Sequence, residues 1–194
     1  MLFRSTIANG VTKTCTITND DQAAGLVVIK HVINDNGGTK SASDFAVTVT
    51  GGSPSPASFN GAESPGTSVT LSAGSYSADE DGHVGYDKTL SADCSGTIAN
   101  GITKTCTITN DDQVAHLVVI KHVINNSSGT KSASDFAVAV TGGSPSPASF
   151  NGAEAGTSVA LNAGSYSADE GDQDRKSTRL NSSHIQKSRM PSSA

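Results

Sequence analysis

Apolar and polar residues alternate with a period of two along most of this chain. "FAVTVT" (45–50) sets Phe45, Val47 and Val49 on one side, "TSVTLS" (67–72) sets Val69 and Leu71, and "SYSADE" (75–80) sets Tyr76 and Ala78. Successive side chains of a strand point to opposite faces, so these runs are half-buried strands; the i, i+3, i+4 spacing of an amphipathic helix is scarce. Between residues 24 and 112 the pattern predicts seven strands, near 25–33, 43–50, 56–60, 66–72, 74–80, 84–92 and 103–110. "NDNGG" (34–38), "GGSPSP" (51–56), "SAG" (72–74) and "SGTIANG" (95–101) are the predicted turns. Short strands at this regular spacing predict an all-β sandwich of the Ig-like kind.

The pattern also repeats. "IANGVTKTCTITNDDQ" at 7–22 aligns with "IANGITKTCTITNDDQ" at 98–113, "LVVIKHVIN" recurs at 26–34 and 117–125, and "KSASDFAV" recurs at 40–47 and 131–138. The offset is 91 residues up to "GAES" against "GAEA"; one deletion makes it 90, and "AGSYSADE" at 73–80 then aligns with 163–170. A period of about ninety residues is too long for a solenoid unit and fits small domains strung in tandem. On this phasing 24–112 is one complete module, 1–22 the C-terminal remnant of a preceding module, and 114–173 a truncated second module. The chain is therefore read as a fragment of a longer array.

Residues 174–194 break the pattern. "DRKSTRLNSSH" (174–184) resembles one reading frame of a common sequencing adapter, and "SRMPSSA" (188–194) its downstream constant part. This non-native tail is set aside. It holds five of the 13 Lys and Arg and only one of the 18 Asp and Glu, so the remainder has eight basic and 17 acidic residues. Such a surface excludes nucleic acid as a partner, since phosphate binding needs clustered positive charge. No apolar run is long enough to span a bilayer, so no membrane insertion is expected in this fragment, and "MLFRSTIANG" has no apolar stretch of a signal peptide.

With 5 Phe, 3 Tyr and no Trp, the core is thin and covalent staples would help it. Cys94 and Cys106 belong to the complete module and flank "SGTIANGITKT". A disulfide between them, across a terminal hairpin, would contribute about 2–3 kcal/mol and imply an oxidising compartment; the other reading is two buried free thiols. Cys15 corresponds to Cys106, and the position of Cys94 falls on Phe3, so Cys15 is expected to be unpaired by truncation.

Three polar residues are in phase with the core. Lys30 shares a face with Leu26, Val28 and Val32; Glu80 with Tyr76 and Ala78; Asn110 with Cys106 and Ile108. Burying all three is costly unless they meet. Burial favours a neutral lysine amine, which can attack a carboxamide carbon, and a protonated glutamic acid, which can polarise that carbonyl and shuttle protons. The product is an intramolecular isopeptide bond. The alternative is a Lys30 that snorkels, a solvated Glu80 and an Asn110 that caps its strand.

The order of a lysine in the first strand, Tyr76-x-x-x-Glu80 followed by Gly85-Tyr86, and Thr107-x-Thr109-Asn110 in the last strand resembles the prealbumin-like repeats of bacterial surface proteins, the collagen-adhesin B-type and SpaA-like pilin domains. The resemblance covers 24–112. It implies a prealbumin-like sandwich in which Lys30 and Asn110 cross-link and Glu80 promotes the reaction. Lys121 and Glu170 are the equivalents in the second copy, expected, like Cys15, to lack their partners through truncation. The cysteine pair is not a general feature of those domains.

Carboxylates at Asp20/Asp21, Asp111/Asp112 and Asp79/Glu80/Asp81 lack EF-hand spacing and read as a solvated acidic surface. His31 and His122 fall on the face opposite the lysine, with no second ligand spaced beside them. No metal and no cofactor is expected, and no serine-nucleophile or phosphate-loop motif is present, so the chain is read as non-enzymatic. The expectation is a structural repeat of an extracellular stalk or adhesin-like surface protein, stabilised by an internal isopeptide or disulfide cross-link, whose partners are neighbouring modules of the array. A glycan- or calcium-binding extracellular repeat is the competing class.

Overall fold

The computed structural model describes residues 4–171; the adapter-like segment lies outside the described residues. Contacts divide the chain into two compact units, Met1–Gln113 and Val114–Ala194.

Unit 1 contains eight strands: β1 (Ala24–Ile33), β2 (Ala46–Thr50), β3 (Ser58–Asn60), β4 (Thr67–Leu71), β5 (Gly74–Glu80), β6 (Tyr86–Leu90), β7 (Ser95–Ile98) and β8 (Thr103–Asp112). They form two four-stranded sheets, β4-β1-β8-β6 and β3-β2-β5-β7. All neighbours are antiparallel except β1 and β8, the first and last strands, which run parallel from Gly25↔Thr103 to Ile33↔Asp111. Leu26, Val28, Val69, Leu71, Cys106 and Ile108 of one sheet close on Val47, Val49, Tyr76, Ala78 and Ile98 of the other, all at most 5% exposed. Burying an aliphatic side chain of this size stabilises by about 1.5–3 kcal/mol. The alternation read from the sequence is the alternation of burial: β1 buries every second residue from Ala24 to Lys30, and β5 buries Tyr76, Ala78 and Glu80.

Three local departures have physical causes. Residues 42–44 form a 3-10 turn ahead of β2, because Asp44 Oδ2 accepts the Ser41 N–H (2.7 Å) and the Asp44 N–H returns to the Ser41 carbonyl (3.0 Å). "SGTI", read as turn, is strand β7: it pairs with β5 from Gly74↔Ile98 to Ser77↔Ser95 and buries Ile98, leaving only "ANG" to turn. Consequently the Cys94–Cys106 disulfide does not join neighbouring strands of a hairpin. Cys94 ends the 3-10 turn (Ala92–Cys94) that carries the chain from β6 across to β7, and Cys106 lies in β8, so the bond ties this crossover to β8.

Unit 2 contains β9 (Ala115–Val119), β10 (Ala137–Thr141), β11 (Ser149–Asn151), β12 (Thr157–Leu161) and β13 (Ser167–Glu170). β12 pairs with β9, and β10 lies between β11 and β13. Val138, Val140, Val159 and Leu161 are buried here as their counterparts are in unit 1.

Candidate functional site

The alternation of β1, β5 and β8 carries Lys30, Glu80 and Asn110 into the space between the two sheets, where they are 0%, 6% and 0% exposed. β1 and β8 are direct neighbours with Lys30 opposite Ile108, so Asn110 follows on the same inner face two residues along. Glu80 arrives from the facing sheet, at the end of β5 opposite Val47.

Lys30 Nζ lies 3.5 Å from Glu80 Oε2 and 4.4 Å from the centre of the Phe45 ring, and it donates only long bonds, to the carbonyls of His31 (3.3 Å) and Ile108 (3.4 Å). Burial pushes the Lys30 ammonium below its ordinary range, and the neighbouring Glu80 carboxylate only partly offsets that. Neither oxygen of Glu80 and neither polar atom of the Asn110 carboxamide has a hydrogen-bond partner. Each such orphan costs about 1–3 kcal/mol. A desolvated amine, a carboxyl group and an unengaged carboxamide therefore share one dry compartment.

Gly61 admits the lysine. A Cβ there would stand 2.6 Å from Lys30 Cγ and 2.6 Å from the Ala42 carbonyl oxygen, closer than side chains tolerate. The Ala62 carbonyl accepts the Lys30 N–H at 2.8 Å, fixing the strand at this point. Phe45 forms the wall beside Lys30 and meets the rings of His83 (4.6 Å) and Tyr86 (5.6 Å) edge-on.

The acidic triplet at 79–81 is split by the pleat. Glu80 points inward, while Asp79 faces out to Lys88 (2.6 Å), which holds its carboxyl below the usual range. Asp112, read as solvated, is instead 5% exposed. Its carboxylate accepts the backbone N–H groups of Asp35, Asn36 and Gly38, and these hold its pKa down against the opposing effect of burial. Asp35 and Asp111 lie within 4.8 Å of it, an oxygen set of the kind that suits Ca²⁺. Both Asp112 oxygens are already engaged by the loop, so the cluster is built as an anchor for residues 34–38. Tyr86 completes the anchor: its hydroxyl donates to Asn34 Oδ1 (2.6 Å) and accepts the Lys40 N–H (3.2 Å).

His31 stands outside, against Glu63 (3.0 Å), as His122 stands against Glu154 (2.7 Å). In unit 2, Lys121 and Glu170 have found each other at 2.7 Å, with side chains 20% and 33% exposed. Cys15 is exposed and free.

Compared with known proteins, residues 21–111 and again 112–179 match a family described as the prealbumin-like fold domain, of the SpaA type. No curated protein matches the chain.

Proposed function

The chain belongs to the prealbumin-like fold domain family, whose SpaA-type members are structural modules of pilin- and adhesin-like surface proteins, and we propose that unit 1 is a force-bearing repeat of an extracellular stalk, closed by an isopeptide bond between Lys30 and Asn110. The observation that carries this reading is the compartment itself: a buried lysine whose charge is disfavoured, 3.5 Å from a glutamate, on the same inner face as a carboxamide with no hydrogen bond.

The chemistry balances without a cofactor. A proton passes from Lys30 to Glu80, which exchanges a buried ion pair for two neutral groups. Lys30 Nζ then attacks Asn110 Cγ while the Glu80 carboxylic acid hydrogen-bonds to Oδ1. The Nζ–Cγ bond forms, the Cγ–Nδ2 bond breaks, and Glu80 relays the proton released from Nζ to the departing nitrogen, which leaves as ammonia. The product removes the buried charges and engages the orphaned carboxamide in one step.

Topology supplies the mechanical purpose. Tension on an array enters at Ala24 and leaves at Asp112, opposite ends of a parallel ladder of nine paired positions. Without a tie, that load shears β1 from β8. A Lys30–Asn110 bond routes it from strand to strand, bypassing everything between. The Cys94–Cys106 bond then holds the β6–β7 crossover to β8, and being a disulfide it belongs to an oxidising environment.

Intact mass spectrometry of the reduced, alkylated chain tests this. The expected result is a mass lower by one ammonia, a tryptic product joining the Lys30 and Asn110 peptides, and recovery of the full mass in Glu80→Ala. Full mass in the unaltered chain overturns the isopeptide reading.

A further inference from the structure

Glu80 must be aimed at two neighbours, yet little holds its side chain. Neither carboxylate oxygen has a hydrogen-bond partner, and its contact with Lys30 is an ion pair of 3.5 Å. A group that relays protons has to be kept within about half an ångström of its working place. That precision has to come from the main chain. Glu80 is the last residue of β5, where the ladder to β2 ends at Val47↔Glu80, and β7 accompanies β5 only from Gly74 to Ser77. The further support comes from Lys88. Its Nζ donates to the Glu80 carbonyl (2.7 Å) and to Asp79 Oδ1 (2.6 Å), and the same Oδ1 accepts the Glu80 N–H (2.8 Å). One ammonium and one carboxylate thus grip both polar groups of the Glu80 main chain in a closed ring.

The lysine reaches there from beside the carboxamide. Lys88 lies in β6, the edge strand next to β8, and its register partner is Asn110. Residues directly opposed in an antiparallel pair share a face, so Lys88 stands on the inner side of its sheet and spans the sandwich to the end of β5. Lys30 approaches Asn110 from β1, on the other flank of β8. Two lysines therefore flank one carboxamide, and their surroundings divide the work. Lys88 makes short, charge-assisted bonds and holds the Asp79 carboxyl below its usual range, the state of a fixed ammonium. Lys30 makes only long bonds; burial is the main cause that lowers its pKa, and the Lys88 charge acts in the same direction, against Glu80 and Glu63. With side chains 26% and 54% exposed, Lys88 and Asp79 would contribute little as an ion pair alone. Their value lies in what they hold.

We propose that Lys88, backed by Asp79, is a positioning residue for the isopeptide reaction: it grips the Glu80 main chain across the sandwich and so sets the carboxyl group against Lys30 and Asn110. This inference rests on the isopeptide reading above. Lys88 and Asp79 exchange no atom with the reacting groups; the bonds made and broken remain those at Lys30 Nζ, Asn110 Cγ and Asn110 Nδ2. Without the clamp the acid–base chemistry of Glu80 persists but is poorly aimed, and a misplacement of about 1 Å can cost about a hundredfold in rate.

The test follows the full chain after a pulse of cell-free synthesis, by intact mass under denaturing, reducing conditions and by the tryptic product joining the Lys30 and Asn110 peptides. The unaltered chain is expected to lose one ammonia, and Lys88→Met to lose it about ten- to a hundredfold more slowly. Lys88→Arg, which restores charge and donors, should return the rate toward that of the unaltered chain. Asp79→Ala should also slow the reaction, and the double variant should be no slower than the slower single one, because both residues act through the same main chain. In an Asn110→Ala background, where no bond can form, Lys88→Met should leave hydrogen exchange in β1 and β4 unchanged, which separates loss of aim from loss of fold. Cross-linking in Lys88→Met as fast as in the unaltered chain, no rescue by Lys88→Arg, or faster exchange throughout β1 and β4 would each overturn the inference and leave the isopeptide reading standing. No ammonia loss in the unaltered chain would overturn that reading and this inference with it.

Discussion

The two units are nearly the same sequence in two states of completion, and the difference isolates what the last strand does. Lys30 and Glu80 are sealed, Lys121 and Glu170 open; Tyr76 is 5% exposed and gives its hydroxyl to the Asp93 carbonyl, while its counterpart Tyr166 is 55% exposed. Phe45 is wholly buried under His83 and Tyr86, residues that unit 2 does not repeat, and Phe136 is half-buried. The early strands bury their aliphatic residues either way. The dry compartment around the lysine, by contrast, exists only where β8 is present. Local alternation makes the strands, and the parallel closure of first strand on last seals the compartment.

The largest effect should come from removing the proposed Lys30–Asn110 tie in unit 1. A bond from residue 30 to residue 110 closes a loop worth about 4 kcal/mol on the chain-entropy argument. Asn110→Ala should lower the unfolding transition of unit 1 accordingly and leave unit 2 unmoved, as read peptide by peptide through hydrogen exchange. It should also create a pH dependence. An unlinked Lys30 has its folded pKa below its unfolded value of 10.5, so between those two values the unfolded chain binds more protons and stability rises with pH. The linked protein has no amine to titrate there. An Asn110→Ala variant as flat with pH as the unaltered chain would mean that Lys30 had found another way to be neutral.

The next test measures the comparison directly. Amides of β9 and β12 should exchange about ten- to a hundredfold faster than those of β1 and β4. Two half-lost aliphatic burials, at Leu117 and Val119, amount to about 1.5–3 kcal/mol. Equal protection would show that the missing strand matters less than the exposure of those residues implies. Reduction of Cys94–Cys106 should cost unit 1 about 2–3 kcal/mol and should not change exchange in unit 2, which holds no disulfide among its described residues.

A smaller effect separates the loop anchor from the core. Asp112→Asn keeps the shape but weakens the acceptor for three backbone N–H groups, and should cost about 1–3 kcal/mol, confined to faster exchange across residues 34–38. Because the folded pKa of Asp112 is held below its unfolded value of 3.8, its contribution is fully present above about pH 4 to 5 and fades as the pH falls through the lowered value. An acid transition identical in Asp112→Asn and the unaltered chain would assign that sensitivity to other carboxylates, Asp79 foremost.

What was legible in the sequence follows the same division. Lys30, Glu80 and Asn110 could be found because each sits in a run with a clean period of two, and parity alone places them inside. Parity would also have found Asp112, two residues beyond Asn110, but an acidic pair after a strand looks like its solvated end. β7 was not legible: Ser95 and Gly96 are weak strand formers beside an "ANG" turn, and only pairing with β5 and the burial of Ile98 make residues 95–98 a strand. The cysteine pairing could be read from spacing, but not that it ties the β6–β7 crossover to β8, since that depends on where β7 goes. Gly61 is meaningful only because Lys30, 31 residues away, passes over it. Contacts across the sandwich leave no mark in a local pattern.

The smallest effect should be the same in both units, which makes it the control for the rest. His31 with Glu63 lies on the outer face of β1, and His122 with Glu154 lies at the equivalent point past the end of β9, each with its ring exposed. Each glutamate also accepts a backbone N–H, from Val32 and Val123, at 2.9 Å. The Glu63 carboxyl is held below its ordinary 4.5 despite the opposing effect of burial, and Glu154 is lowered first by its bond to His122. Both folded values are depressed, so the stabilisation is present above about pH 4.5 and is lost as the pH falls through the lowered pKa. With half of each partner's side-chain surface in solvent, screening keeps the His31–Glu63 term under about 1 kcal/mol, and salt should reduce it further. Glu63→Gln should therefore move unit 1 slightly, and Glu154→Gln should move unit 2 in the same direction. If instead Glu154→Gln unfolds unit 2 while Glu63→Gln is silent, the incomplete unit is held by its outer face, and the contrast between the two units is one of overall stability rather than of a single absent strand.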